Sequence, residues 1–530
     1  MTVENVRRLY RIPPDYRAPH VKGNRQAVAN FLGISVNPKD TNMFLDLMGS
    51  PPQQQTKFVG PGKNNPDTFL DPEGSIDLQW IQGIGQGVET EYWNTDGGQG
   101  GHEPFLDWIV GVGNTSHPAL VHSLSYGENE VSYADEYKAR VDLEFMKLGL
   151  RGVTVLIATG DTGIQGAAQP GGAPPSCYPF HSIFPASSPH VTSVGATQFS
   201  THVSPICDVE NVYSMGTSSS IPFSCPDDDV GEITCSTDTG AMITSGGGFS
   251  NYFSRPWYQD HAVKWYHHDC ADQPGCTPRD GSYNLTGRGF PDIAAIGQNV
   301  PTIFNGTLVM VGGTSAAAPI AAGLISLLNA ELLRLGRPSL GFMNPWLYSL
   351  AQQFPDSITD VRSGNNSGGN RLLPTYVSCE SGFRSIPGWD PATGLGSLNF
   401  ERMLAHLLPP GASSLSAPTS HSGKGPSPVP DIDGGGVGMA TEMVVVLCAV
   451  CSLVSAIAVA VVGRMCDQRG RGGGDGGGGG SGRGGGDGRR GSRSQVSGGG
   501  SMHSPLLGSE AEGSVQGGMG VGGGVVVGNG

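Results

Sequence analysis

The chain has 530 residues and a formal charge of −15 at pH 7. An acidic balance with no basic cluster on the globular part argues against a nucleic-acid partner and suits an acidic compartment. Residues 1–408 alternate apolar runs with amphipathic stretches and can bury one substantial core, whereas the composition changes sharply near residue 410. The N-terminal segment Met1-Thr2-Val3-Glu4-Asn5 lacks the apolar core of a signal peptide, so the expectation is that the natural chain starts earlier. Further along, Asp71-Pro72-Glu73-Gly74-Ser75-Ile76-Asp77-Leu78-Gln79-Trp80-Ile81 predicts a helix opened by Pro72, with Ile76, Trp80 and Ile81 on its buried side. Glu73 and Asp77 then stack one turn apart. Two carboxyls so placed do not both ionise easily, and a pair sharing one proton can take another from a serine. The same spacing also suits two acids on a solvated helix face.

Ala134 to Leu148 reads as a second amphipathic helix, and Val153-Thr154-Val155-Leu156-Ile157 as a strand. The alternation predicts an α/β fold with a mostly parallel sheet flanked by helices. That strand ends in Gly160-Asp161-Thr162-Gly163, which puts the Asp161 carboxyl at the C-terminal edge of the sheet. Asp161 there forms a simple Asx-turn or, when protonated, donates to a developing oxyanion. Cys177, Cys207, Cys225, Cys235, Cys270, Cys276 and Cys379 fit no zinc-ribbon spacing; in an oxidising lumen several pair, and the odd number leaves at least one single. Adjacent His267-His268-Asp269-Cys270 is a poor metal set, because neighbouring side chains in a loop rarely converge. Val311-Gly312-Gly313-Thr314-Ser315-Ala316-Ala317-Ala318-Pro319 is a glycine turn entering an alanine-rich helix, with proline expected in its first turn. Ser315 is there either a helix N-cap or a nucleophile beside the positive end of the helix dipole.

Residues 409–436 form a Pro/Ser/Gly-rich linker, and 437–463 a transmembrane helix whose uncharged core is Met443–Gly463. Arg464, Arg469 and Arg471 follow the span while Asp431, Asp433 and Glu442 precede it, so residues 464–530 are expected as a disordered cytosolic tail. The globular part is then lumenal or extracellular. Sequons at Asn114, Asn284, Asn305 and Asn365, all before the span, agree.

A serine nucleophile needs a base, and no His-Gly-Thr-His-like segment supplies one. Ser315 with Glu73, Asp77 and Asp161 instead resembles the sedolisin family of serine-carboxyl peptidases, in which Glu-x-x-x-Asp, Ser-Gly-Asp-Ser-Gly and Ser-Gly-Thr-Ser-Ala-x-x-x-Pro occur in this order. Gly101-His102-Glu103-Pro104-Phe105-Leu106, Phe184-Pro185-Ala186-Ser187-Ser188-Pro189, Ser245-Gly246-Gly247-Gly248-Phe249-Ser250 and Phe290-Pro291-Asp292-Ile293-Ala294-Ala295 extend the likeness over roughly Val3 to Leu408. The resemblance implies a subtilisin-like fold and an acid-active peptidase of peptides and unfolded proteins that releases tripeptides from free N-termini. Ser315 would be nucleophile, Glu73 base, Asp77 its buffer and Asp161 oxyanion donor. It also implies one structural calcium ion, Ca2+, held by the Asp360 and Asp390 carboxylates and the Val361, Ile386 and Gly388 carbonyls, in a compartment such as a lysosome or vacuole. Gly312 departs from the family's first serine, and the family's long N-terminal propeptide has no counterpart in this sequence. An endopeptidase of the same mechanism, or an inactive receptor-like relic on a membrane tether, are the alternatives.

Overall fold

Buried runs such as Thr154–Ala158, in which every residue is covered, can only pair inside a sheet shielded on both faces. The computed structural model describes residues 1–66, 70–95, 104–167, 176–200, 231–373 and 377–408. In these, ten strands form one sheet: β1 (Arg25–Asn30), β2 (Lys57–Val59), β3 (Glu89–Asn94), β4 (Val121–Leu124), β5 (Thr154–Ala158), β6 (Thr192–Phe199), β7 (Glu232–Thr234), β8 (Ile293–Ile296), β9 (Ile358–Thr359) and β10 (Ser397–Leu398). Their order is β9-β10-β8-β6-β5-β4-β1-β3-β2, with β7 branching from β6. Pairing is parallel from β10 through to β2 and antiparallel for β9 and β7. The expected α/β class with a mostly parallel sheet is what the chain adopts.

Successive strand residues point to opposite faces. Val28 and Leu156 join one apolar core, while Ala27, Ala29, Val155 and Ile157 join a second. Four helices matter for the site: α1 (Pro72–Ile84), α2 (Phe105–Asn114), α3 (Asp135–Leu150) and α4 (Thr314–Arg334). Apolar residues of α1 and α4 fill the first core, and those of α2 and α3 the second. The helix α3 falls where the amphipathic stretch predicts it. Its neighbour in function, α4, is long and apolar enough to cross a membrane, yet it is buried along nearly its whole length between sheet and α1. Gly323 makes that packing close: a Cβ there would lie 2.9 Å from Gly85 N and from Ile84 Cβ.

Cys177 pairs with Cys379 and Cys270 with Cys276, while Cys235 is single and buried. Cys270 is therefore engaged, and no group of three metal-ligating side chains exists at His267–Cys270 or elsewhere among the described residues. Asn114 and Asn305 are exposed, whereas Asn284 donates to Ser250 O at 3.0 Å and Asn365 accepts from Ser367 N at 2.8 Å. The predicted linker, span and tail, and Gly101–Glu103, lie outside the described residues.

Candidate active site

The parallel sheet brings the C-terminal ends of β1, β4 and β5 side by side, as open α/β sheets do at their ligand crevices. Asn30 ends β1, Ser125 follows β4 and Asp161 follows β5. Above them stand the N-terminal turns of α1 and α4, packed against each other. The elements thus gather Glu73 and Asp77 from α1, Ser315 from α4 and Asp161 from the sheet edge.

Helix α1 opens as its sequence predicts, with Pro72 in the first turn. Asp71 caps it, accepting from Glu73 N at 2.9 Å. The predicted solvated face is absent: every residue from Pro72 to Ile84 is buried. Part of the cause is a hairpin, Val300–Phe304 with Thr307–Val311, that packs on the helix. Trp80 Nε1 donates to Pro301 O at 2.9 Å and Gln79 Nε2 to Ile303 O at 2.7 Å. Glu73 and Asp77 are accordingly 3% and 0% exposed, which removes the reading of two acids decorating a surface.

Asp77 is held on both oxygens. Ser125 Oγ donates to Oδ1 at 2.6 Å and Asn30 Nδ2 to Oδ2 at 3.3 Å, with Asn30 in turn accepting from Tyr126 OH at 2.9 Å. Glu73 differs: both of its carboxyl oxygens are buried without a hydrogen bond, and so is Ser315 Oγ. The two are close enough that the serine hydroxyl counts among the groups acting on the Glu73 acidity. Burial, first, and then the charges of Asp77 and Asp71 push Glu73 well above the usual carboxyl range. Burial also raises Asp77, against the lowering by its two donors. A pair of this kind retains protons and shares them.

Ser315 is the second residue of α4, so Gly313, with no capping side chain, is the N-cap and the cap reading of the serine falls away. Pro319 lies in the second turn rather than the first. Lacking an N–H, it leaves the Ser315 carbonyl without its helical donor. Ser125 Oγ stands 3.4 Å from that carbonyl, which ties the Ser315 backbone to the residue that holds Asp77. Gly312, where the family pattern has serine, has its own cause: a Cβ there would come within 2.9 Å of Gln298 Oε1 and Met242 Cε.

Asp161 presents one oxygen to the helix and one to open chemistry. Its Oδ1 accepts from Thr314 N at 2.7 Å and Thr314 Oγ1 at 2.9 Å, while buried Oδ2 has no partner. Burial raises it to about 6 against the lowering by Thr314. In mild acid, Oδ2 therefore carries the proton and can donate it.

The residues expected around calcium come from two joined segments. Asp360 Oδ2 accepts from Gly388 N at 3.0 Å and from Arg362 Nε at 2.7 Å, leaving Oδ1 buried without a partner. Asp390 Oδ1 accepts from Ala392 N at 3.0 Å and Thr393 N at 2.8 Å, and Oδ2 from Ile386 N at 3.3 Å. Val361 and Ile386 are buried. The orphaned Asp360 oxygen is of the kind a hard cation takes, but no group of three metal-ligating side chains gathers there or elsewhere among the described residues.

Sequence reasoning missed Asn30, Ser125, Thr314 and Asp71 as partners, and also Glu130. The buried Glu130 carboxylate accepts from Ser182 Oγ at 2.6 Å, Ser187 Oγ at 2.7 Å and Ser250 Oγ at 2.6 Å. It binds two of the recurring family segments together. A carboxyl followed by serines far along the chain gives no local signal for that.

The raised carboxyls have a consequence for stability. Each stabilises the fold below its unfolded pKa and loses that contribution as pH rises through its folded value; for Asp161 the loss runs from 3.8 to about 6, and Glu73 and Asp77 act in the same direction. His122, pushed by burial down to about 3, acts oppositely and only below 6.5. The stability of Asp161→Asn relative to the parent is therefore expected to rise as pH goes from 3.8 to about 6; a constant difference over that interval, followed by calorimetry, would contradict a buried acid that keeps its proton.

A buried serine thus lies beside buried carboxyls at the crevice edge of a parallel sheet. A model of the subtilase family matches residues 105–338, which include Asp161 and Ser315 but not α1. Tripeptidyl-peptidase 1 of Dictyostelium discoideum is 36% identical over 391 residues, covering 73% of this chain and 55% of that protein. The human tripeptidyl-peptidase 1 is 33% identical over 411 residues, covering 77% of this chain and 65% of that one. The chain thus spans less than two thirds of the length of these relatives. In fold it is similar to Pseudomonas sedolisin, a serine-carboxyl proteinase, with TM-score 0.55, 24% identity and coverage of 77% of this chain and 97% of that one. In sequence the chain is thus similar to tripeptidyl-peptidase 1, and in fold to sedolisin.

Proposed function

We propose that this chain is an acid-active serine-carboxyl peptidase that forms an acyl-enzyme on Ser315 and releases tripeptides from free N-termini. The observation that carries the reading is the unpartnered Ser315 hydroxyl buried beside an unpartnered Glu73 carboxyl, with the free Asp161 Oδ2 as a third buried group. Ser315 Oγ attacks the scissile carbonyl carbon and its proton passes to Glu73, whose charge is shared with Asp77. The carbonyl oxygen becomes negative and takes hydrogen bonds from protonated Asp161 and from the Ser315 N–H, a first-turn helix donor with no helical acceptor. The C–N bond then breaks and the leaving amine takes the proton from Glu73. Water adds to the acyl carbon, giving a proton to Glu73, which returns it to Ser315 Oγ as the acid product leaves. Acid favours the cycle because Asp161 must hold a proton while the Glu73–Asp77 pair keeps one negative charge.

In this reading Asp360 and Asp390 hold calcium with the carbonyls of Val361, Ile386 and Gly388, and the ion supplies rigidity to the loops rather than chemistry. The disulfides and the exposed Asn114 and Asn305 support a lumenal or extracellular setting, with the segment 437–463 as its membrane tether. Incubating the protein at mildly acid pH with N-terminally free and N-terminally blocked peptides, and weighing the products, tests the specificity. Tripeptides from free peptides alone are expected; cleavage of blocked ones would make the enzyme an endopeptidase.

A further inference from the structure

We infer that Asp71 is a third carboxyl of the proton-handling cluster, a positioning residue that acts on Glu73 through both a helix cap and its charge. Resting on the peptidase reading above, this adds a residue that the Glu-x-x-x-Asp pattern does not contain. Three observations support it. Asp71 Oδ1 is bonded to the backbone N–H of Glu73 itself, which fixes that residue in the first turn and aims its side chain from a defined start. Asp71 is itself largely buried, so its charge is little screened by water. Its charge is also among those that hold Glu73 above the ordinary carboxyl range, after burial and Asp77.

The surroundings offer little to offset that charge. Asp77 shares the helix, Asp161 stands on the loop after β5 and Ser315 on α4. From β3 and the end of β4 come Tyr92 and Tyr126, both kept neutral by burial, with hydroxyls donated to Ile34 O at 3.0 Å and Asn30 Oδ1 at 2.9 Å. Asp71 is bonded to the Glu73 backbone, whereas Asp161 is bonded to Thr314 at the start of α4. The Asp71 charge should consequently move one limb of the pH profile and leave the other in place: the acid limb, where the Glu73–Asp77 pair first ionises, and not the alkaline limb set by Asp161.

Asn and Ser cap a helix as well as Asp does, so Asp71→Asn and Asp71→Ser remove the charge while keeping the cap. In both, the acid limb of kcat/KM should move to lower pH, raising the rate on that side roughly three- to tenfold, with the alkaline limb unchanged. Superimposable profiles, or both limbs moving together, would reduce Asp71 to a cap and overturn the inference. A second measurement is independent of turnover. The slope of melting temperature against pH should become less negative in Asp71→Asn, and by less when Glu73 is already Gln. Equal flattening in both backgrounds would deny the coupling, whereas a failure of the peptidase reading would show separately, as normal turnover by Glu73→Gln alone.

Discussion

Replacing Ser315 by alanine, or Glu73 by glutamine, is expected to lower kcat/KM by roughly 10⁴–10⁶-fold, with little change in melting temperature near pH 5. Either change removes one half of a single proton transfer, so the double variant should be hardly worse than each alone. The serine side chain is 1% exposed and makes no hydrogen bond, so alanine opens no polar vacancy that the fold must repair. Glutamine keeps the volume of Glu73 but cannot accept the serine proton. Steady-state kinetics on a free tripeptide-ester or peptide substrate measures the loss; turnover near normal in either variant would remove the assigned pair.

Asp161 should show a smaller and more informative effect. Alanine there is expected to cost roughly 10²–10³-fold in kcat, the usual loss for one oxyanion donor. Asparagine is the sharper probe. Its carbonyl can still accept from Thr314 N and Oγ1, as Asp161 Oδ1 does at 2.7 and 2.9 Å, while its amide donates at every pH. Asp161→Asn should therefore retain much of the rate and extend activity above the limb at about 6 that the protonated acid imposes. A full-rate Asp161→Ala enzyme would refute the role.

The residues of the candidate site were legible because each sits on a local signal. Pro72 marks the start of α1 and fixes the one-turn spacing of Glu73 and Asp77; the strand Thr154–Ala158 marks the edge where Asp161 emerges; the glycine turn marks Ser315. What could not be read is set by tertiary adjacency. Ser125 and Asn30 meet Asp77 only because β1 and β4 are neighbours in a sheet whose order departs from the order of the chain. The burial of α1 on all sides depends in part on a hairpin more than 200 residues away, through the bonds of Gln79 and Trp80 to Ile303 and Pro301. Periodicity could suggest only one buried side for that helix, and proline's preference for a first turn put Pro319 a turn too early in α4. Asp71 was within reach, since Asp-Pro before a helix is a capping signal, but its nearness in charge to Glu73 needed the cap geometry.

The most direct test of a serine driven by carboxyl groups is the pH dependence of kcat/KM on a free peptide between pH 3 and 9. The account predicts a bell confined to acid, rising as the Glu73–Asp77 pair gains its first charge and falling with a midpoint of about 6 as Asp161 ionises. Activity that instead climbs through pH 7 to an alkaline plateau, as an imidazole base gives, would contradict it.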